Sequence, residues 1–430
     1  MAVKKNREAF ICMANALEFE PHPGQIKALE MYLKSRFICI DAGRRWGKSK
    51  LMSIPACYTM SAGKTQTIVV SKTYKLAKKV WKYMLVEARN LFGPSLSVDH
   101  AGMTMSTPWG ASFQLGSADN PDSLLGDGYD LVVMDEAATM KDVIFQQNIL
   151  PMVRDCKGTI SLISTPRGMN WFHDVYEQGV AKQDGWLSYQ GSSRENFHVW
   201  DDEEWDLAKR QSDPLYFRQE YEADFVVFGD MVYCDYTTER NVVPSTMDLS
   251  NWRKYCTIDP GYRTCAMLWA AHNPYTDELV FYDEEIRGRL RHEEIVALLA
   301  EKEPPEGYAG IVSDVAGNAR EGDTGLSVVS YIDNHEWTRR RKLYVSHHKQ
   351  GCETGIHIVR SRIFNASGKA TLKVMADRCP KLHKMHGLLE YDGSREAYLK
   401  DGVHDHPADA ERYLAFHLDR TSGVARHTDW

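Results

Sequence analysis

Residues Asp41-Ala42-Gly43-Arg44-Arg45-Trp46-Gly47-Lys48-Ser49 carry the residue types of a phosphate-binding loop. In such a loop backbone N–H groups curl around a β-phosphate at a helix N-terminus, a lysine reaches the β/γ oxygens, and the hydroxyl after it holds Mg²⁺. Lys48 and Ser49 stand in those two places. The common pattern G-x-x-x-x-G-K-[ST] opens on glycine. Ala42 holds that position here, which leaves Gly43 to carry part of the turn. A Gly-Lys-Ser after a strand also fits an ordinary turn, so a second set of residues has to decide.

That second set is Asp135-Glu136, which follows Leu131-Val132-Val133-Met134. An apolar run ending in acids is what a buried parallel strand shows where it emerges at the carboxyl edge of a sheet. There Asp135 can sit in a Mg²⁺ shell and Glu136 can polarise an attacking water. Two acids can also simply open a helix, but the phosphate loop upstream favours the chemical reading. Ser164 and Thr165 end another apolar run. Small hydroxyls there can sense a γ-phosphate and pass that on, or form a plain strand-end turn. Gln25, after the rigid Pro21-His22-Pro23-Gly24, either meets an adenine edge or starts a helix.

The second half offers a different chemistry. Asp259 ends Lys254-Tyr255-Cys256-Thr257-Ile258, Asp314 ends Gly310-Ile311-Val312-Ser313, and Asp405 and Asp409 lie four apart where a helix is expected. Acids at that spacing share a helix face. Converging carboxylates can hold two divalent ions roughly 3.5–4 Å apart, one generating hydroxide and one stabilising the leaving oxygen. Oxygen ligands favour Mg²⁺ or Mn²⁺ over zinc. Asp405 and Asp409 compete for the third place. His404 and His406, with His347 and His348, form the alternative set, a transition-metal group.

These residues need elements to hold them. Phe37-Ile38-Cys39-Ile40 reads as a strand, followed by loop and helix; Thr67–Val70 and Phe113–Gly116 read as strands, with a lysine-rich helix from Lys72 to Leu91 between them. Residues 1–35 read as helical with a break at Pro21–Gln25. Asp259 is expected on the first strand of a hairpin whose second strand is Ala266–Ala271. The loop-like stretch 235–248 marks a boundary between a first domain, 1–235 with a connector over 190–240, and a second, 248–430. Both are α/β.

At 430 residues the chain is long enough for two domains. Its net charge of −7 argues against a protein that coats nucleic acid, yet leaves room for local grip. The basic stretches Lys72–Lys82 and Arg339–Lys342 are the places for it, and residues 339–349 and 351–362 are expected to face DNA. Nine cysteines without a C-x-x-C suggest neither a zinc ribbon nor a disulfide framework. No stretch reads as a membrane span or a signal peptide, so a cytosolic, non-secreted protein is expected.

The order Pro-His-Pro-Gly-Gln, Gly-Arg-Arg-Trp-Gly-Lys-Ser, Ser-Ala-Asp-Asn-Pro-Asp-Ser-Leu, Val-Val-Met-Asp-Glu-Ala-Ala and Ser-Thr-Pro-Arg-Gly resembles the ATPase half of a tailed-bacteriophage terminase large subunit. Phe217-Arg218-Gln219-Glu220-Tyr221 resembles the stretch that closes that half. The resemblance implies an additional-strand, mostly parallel P-loop ATPase domain followed by an RNase H/resolvase-like α/β nuclease domain. It places Gln25, Gly43, Arg44, Arg45, Gly47, Lys48, Ser49 and Asp135 at ATP with its Mg²⁺. Glu136 is then the ATPase catalyst, Ser164 and Thr165 couple the γ-phosphate to movement, and Asp259, Asp314, Asp405 and Asp409 form the nuclease site with two Mg²⁺ or Mn²⁺.

The implied partners are double-stranded DNA, a capsid portal protein, a small terminase subunit and further copies of the chain in a ring. The implied place is the host cell cytoplasm, docked transiently at the procapsid portal. Two departures from the family pattern stand out. Leu125 precedes Gly126 where relatives often carry a trans-acting arginine, leaving Arg154 or Arg167 as substitutes, and His406 stands where a second acid is usual. The same two sites also fit a helicase or repair ATPase joined to a resolvase-like nuclease, or a nucleotide-gated DNA-binding scaffold.

Overall fold

The computed structural model of the protein describes residues 7–124, 128–226, 229–261, 263–314, 327–347, 351–392 and 397–421. Leu125, Gly126, His348 and the tail beyond residue 421 lie outside them. The chain forms two compact units, Met1–Trp205 with Phe217–Val227, and Asp206–Tyr216 with Phe228–Trp430.

In the first unit the strands are β1 Phe37–Ala42, β2 Gln66–Ser71, β3 Ser97–Asp99, β4 Thr104–Ser106, β5 Ser112–Ser117, β6 Leu131–Asp135, β7 Thr159–Ser164 and β8 Trp186–Gly191. They form one sheet in the order β3-β4-β5-β2-β6-β7-β1-β8, parallel except for β3 and β4 at one edge. The strand β7 therefore lies between β1 and β6, the additional-strand arrangement. Ile38, Cys39 and Ile40 of β1 and Val132, Val133 and Met134 of β6 are fully buried, as strands covered on both faces must be. Asp41 lies opposite Ser164, and Asp135 opposite Ile163, so β1, β6 and β7 all deliver their C-terminal residues to one edge. Ligand loops in parallel sheets gather at that edge.

Three helices of this unit bear on the site: α1 Pro23–Lys34, the short α2 Lys48–Leu51 and α3 Tyr74–Phe92. The first starts at a capping box between His22 and Gln25 and carries Pro23 in its first turn. In α3, Ala77, Val80, Trp81, Met84 and Ala88 are buried while Lys75, Lys78, Lys79 and Lys82 are exposed. That is the 3.6-residue stripe of a helix resting on a sheet.

Two further helices, α4 Asp202–Gln211 and α5 Pro214–Glu220, carry the connector. Residues 206–216 belong to the second unit, and the expected boundary at 235–248 falls inside that unit. The reason is a buried ion pair: Asp213 accepts from Arg360 Nη2 at 2.8 Å, and Asn365 Nδ2 donates to Arg210 O at 3.0 Å.

The second unit is built on β9 Arg253–Asp259, β10 Cys265–Asn273, β11 Glu278–Arg287, β12 Gly310–Ser313, β13 Val345–His347 and β14 Leu372–Val374. Its order is β13-β12-β9-β10-β11-β14, with β9, β10 and β11 an antiparallel meander and β12 and β13 parallel beside β9. This is the RNase H-like order. Its helices include α6 Glu336–Arg341, α7 Cys352–Ile363 and α8 Asp405–Thr421. The last packs across β9, β10 and β12, tied to β9 where Thr257 Oγ1 donates to Ala410 O at 2.7 Å.

The expectation that residues 339–362 present their cations to DNA is corrected here. Arg360 and Arg362 are buried, the first on Asp213 and the second 3.1 Å from Asp277 Oδ1. On α6, Arg340 pairs with Glu336, and Arg341 Nε donates to Glu303 Oε1 at 2.5 Å. A buried guanidinium needs a carboxylate more than a phosphate does, because removing either partner leaves a charge without solvent.

Candidate active sites

The loop after β1 is fixed from outside itself. Gly43 N donates to Gly191 O at 3.0 Å and Arg44 N to Glu220 O at 2.7 Å, so β8 and α5 hold its first half. The left-handed residues of the turn are Arg45, φ 62°, and Gly47, φ 99°. Gly43 does not carry the turn as its position had implied. It makes room, since a Cβ there would meet Ser193 Oγ at 2.2 Å and Tyr221 O at 2.6 Å. Trp46 is buried inside the loop, its Nε1 donating to Glu195 Oε2 at 2.7 Å while its carbonyl accepts from His22 Nε2 at 2.8 Å. Gln25 makes the helix-start bonds, its Oε1 accepting from His22 N at 3.2 Å, and its Nε2 also donates to Gly47 O at 3.3 Å.

Lys48 is buried, with Nζ donating to Ala42 O at 2.6 Å, Gly43 O at 3.2 Å and Thr165 Oγ1 at 3.0 Å. Ser49 Oγ donates to Asp135 Oδ1 at 2.9 Å. Burial pushes the Asp135 carboxyl up, and the neighbouring Glu136 charge adds to that. A hydroxyl and a carboxylate this close are the donor set a Mg²⁺ shell uses, so Ser49 and Asp135 fit the ion.

Glu136 adopts a left-handed backbone at φ 57°. Non-glycine residues hold that conformation at a cost of about 1–3 kcal/mol, and such strain gathers at functional sites. Its carboxylate accepts from Ser164 Oγ and from Thr165 N, each at 3.4 Å. The two residues expected to couple are thus brought against both Lys48 and Glu136.

Of the loop arginines, Arg45 is exposed and Arg44 turns its Nε to Glu220. Arg167 Nη1 stands 3.9 Å from the other Glu220 oxygen, while Arg154 is exposed. Burial alone would raise the Glu220 carboxyl, but Arg44 and Arg167 outweigh it and hold it below the ordinary value. Glu220 has no partner legible in the sequence, because 176 residues separate it from Arg44. Asp41, fully buried beneath the loop, reads in the sequence only as part of the motif; burial raises its carboxyl, against the pull of Lys48.

In the second unit Asp259 ends β9 and Asp314 follows β12 directly, with Ser313 opposite Ile258, so the two acids leave neighbouring parallel strands side by side. Asp405 and Asp409 lie in the first turns of α8 and are buried. His406 Nδ1 is 2.7 Å from Asp259 Oδ2, and the Tyr413 hydroxyl donates to Asp259 Oδ1 at 3.2 Å. Burial raises the Tyr413 phenol, and the charges of Asp259, Asp409 and Asp314 raise it further, which places that phenol among the acids.

The two competing aspartates differ. Asp409 accepts from Arg412 Nη2 at 2.5 Å, from the Tyr398 hydroxyl and from Lys400 Nζ. Asp405 Oδ1 is buried without a hydrogen-bond partner. An orphaned buried carboxylate oxygen is a place for a cation, so Asp405, with Asp259 and Asp314, fits an ion and Asp409 does not. Among the described residues no three His, Cys, Asp or Glu side chains stand as a closed metal-binding group. His404 pairs with Asp401, not with His406. Tyr413, one helical turn beyond Asp409, was missed; extending the helix back to Asp405 would have put it on the acids' face.

Residues 39–234 match the family model described as the N-terminal part of the terminase large subunit, T4likevirus-type. The large terminase subunit of Escherichia phage T5 is 29% identical over 260 residues, 59% of this chain and 55% of the relative. That of Thermus phage G20c is 28% identical over 251 residues, 50% of this chain and 51% of the relative. The chain belongs to the large-terminase family. It spans about half the length of the curated relatives it matches. In fold, this large terminase resembles the large terminase of a thermophilic bacteriophage, with a TM-score of 0.60 at 16% identity over 93% of this chain and 99% of the other. The same thermophilic phage protein is also known in complex with ADP, with a TM-score of 0.59 at 16% identity over 92% of this chain and 98% of the other. No helix among the described residues is long and apolar enough to cross a membrane.

Proposed function

We propose that this large terminase hydrolyses ATP to drive duplex DNA into a procapsid and cuts concatemeric DNA with a divalent-metal endonuclease at the start and end of packaging. The observation that carries the motor half is the contact chain Lys48–Thr165–Glu136. One residue touches both the phosphate-binding lysine and the candidate general base. The ADP bound by the thermophilic phage protein supports the choice of nucleotide.

Bound ATP offers its β/γ oxygens to Lys48 in place of the Ala42 and Gly43 carbonyls. Mg²⁺, held by Ser49 and Asp135, neutralises charge on the phosphates. Glu136 orients the attacking water, Gln25, Gly43 and Gly47 shape the loop around the nucleotide, and Arg45 faces its exposed side. Arg44 reaches the phosphates only by leaving Glu220. When the γ-phosphate departs, Lys48 and Glu136 change partners together through Ser164 and Thr165, which is the coupling step. In the second unit Asp259, Asp314 and Asp405 hold Mg²⁺ or Mn²⁺, which supplies an activated water, and Asp409 sets the position of Arg412 and Lys400.

The partners that follow are double-stranded DNA, the portal protein, a small terminase subunit and further copies in a ring, met in the host cytoplasm at the procapsid portal. The trans-acting arginine is Arg154 in this reading, because Arg167 is drawn to its own Glu220. The deciding experiment is packaging of linear duplex DNA into procapsids by the purified chain with ATP. Protection of DNA from added nuclease, lost on omitting ATP, is the expected result, and strand unwinding without protection defeats the reading.

A further inference from the structure

The acid cluster of the second unit brings its own cations. Asp409 spends both oxygens on them, Oδ1 on Arg412 and the Tyr398 hydroxyl and Oδ2 on Lys400. Arg412 is buried and cannot leave without stranding a charge. Lys400 differs. Its side chain is 57% exposed, and its ammonium stands 4.0 Å from Asp405 Oδ2 and 4.9 Å from the centre of the Tyr398 ring. It therefore caps the cluster from the solvent side, next to the aspartate whose other oxygen is buried and unpartnered.

We propose that Lys400 supplies the second positive charge of the nuclease site, so that one divalent ion is used and not two. This rests on the nuclease reading above. A second ion at Asp409 would have to displace a guanidinium, a phenol and an ammonium, and would then face Arg412 as a like charge at short range. An ammonium is a compact charge with three rotatable donors. Asp409 takes one, which leaves donors to turn toward a phosphoryl oxygen arriving from solvent. In hydrolysis the water oxygen bonds to phosphorus and the P–O bond to the departing strand end breaks, its electron pair leaving on that oxygen. The water's proton goes to solvent and the leaving oxygen takes one, giving a phosphate end and a hydroxyl end. Lys400 offsets the charge that builds on the phosphoryl oxygens and moves no proton in this scheme.

The test uses the full chain without nucleotide. Mn²⁺ binding is counted from the electron paramagnetic resonance signal of free Mn²⁺, and cleavage is followed on supercoiled duplex. The expected loss of bound Mn²⁺ from wild type to Asp259→Ala is one ion; a loss of two overturns the proposal. Lys400→Met is expected to cut more slowly by on the order of 100-fold, the scale of removing one preorganised donor from a transition state. Its Mn²⁺ affinity and ATP turnover stay at wild-type levels. Lys400→Arg, which keeps the charge, recovers much of the rate. If Lys400→Met instead cuts at the wild-type rate and binds Mn²⁺ more tightly, Lys400 is only a resting counter-ion. If Lys400→Met fails to fold, the wild-type ion count still decides. A wild-type chain that neither binds Mn²⁺ nor cuts removes the nuclease reading itself, an outcome distinct from cutting with two ions.

Discussion

Lys48 Nζ and Thr165 Oγ1 lie 3.0 Å apart, although 117 residues separate them. The bond spans the neighbouring strands β1 and β7, so a change at the phosphate loop is felt at the end of β7 without passing through solvent. Thr165→Val keeps the shape and removes the acceptor. A hydrogen bond to a charged group contributes roughly 1.5–3 kcal/mol, so ATP turnover is expected to fall roughly tenfold to hundredfold. The fall should be larger for packaging than for basal hydrolysis, measured as phosphate release with and without DNA and procapsid. Equal losses in both assays remove the coupling role and leave only lysine positioning.

The two sites use separate residues in separate units, and single variants should part them. Lys48→Ala is expected to abolish phosphate release while metal-dependent cleavage of supercoiled duplex continues near the wild-type rate. Asp259→Ala is expected to do the reverse. Joint loss of both activities in either variant refutes the division.

Asp405 and Asp409 make different predictions on one helix. Asp405→Asn should lose cleavage by on the order of 100-fold or more, with little change in melting temperature, because its Oδ1 has no partner to lose. Asp409→Asn should lower the melting temperature, because Arg412 and Lys400 keep their charges and lose their shared carboxylate. Breaking a buried pair costs about 3–5 kcal/mol. Differential scanning calorimetry beside a cleavage assay decides; a reversal of the two effects makes Asp409 the ligand.

Asp213 ties residues 206–216 into the second unit. Burial alone would raise its carboxyl, but Arg360 and then His357 bring it below the ordinary value. A depressed carboxyl contributes stability that is full above the unfolded value of about 3.9 and is lost as pH falls through the folded value. Stability of the second unit should therefore drop below about pH 4, and Asp213→Asn should flatten that drop while lowering stability at neutral pH. Urea unfolding followed by fluorescence at neutral and acid pH measures it. A variant with the wild-type acid profile dissociates Asp213 from the effect.

The sequence by itself determined where chemistry stands along the chain. Local spacing is enough to recognise Gly47-Lys48-Ser49, Met134-Asp135-Glu136 and the acids that end β9 and β12. A strand buried on both faces shows as an apolar run whatever lies around it, and a catalytic acid at its end breaks that run. The hairpin β9–β10 and the helix carrying Asp409 were legible for the same reason.

What only the tertiary structure decided are the partners of those residues. Nothing near Arg44 announces Glu220, nothing near Asp213 announces Arg360, and the exposed lysine at 400 looks like any solvated charge until α8 brings Asp409 beneath it. The arginines of α7 looked like a DNA-facing surface because composition records charge and not burial. Motif spacing is set by the backbone over a few residues, whereas charge pairing is set by which strands and helices meet. For that reason the choice between Asp405 and Asp409 was open in the sequence and is weighted toward Asp405 by the fold.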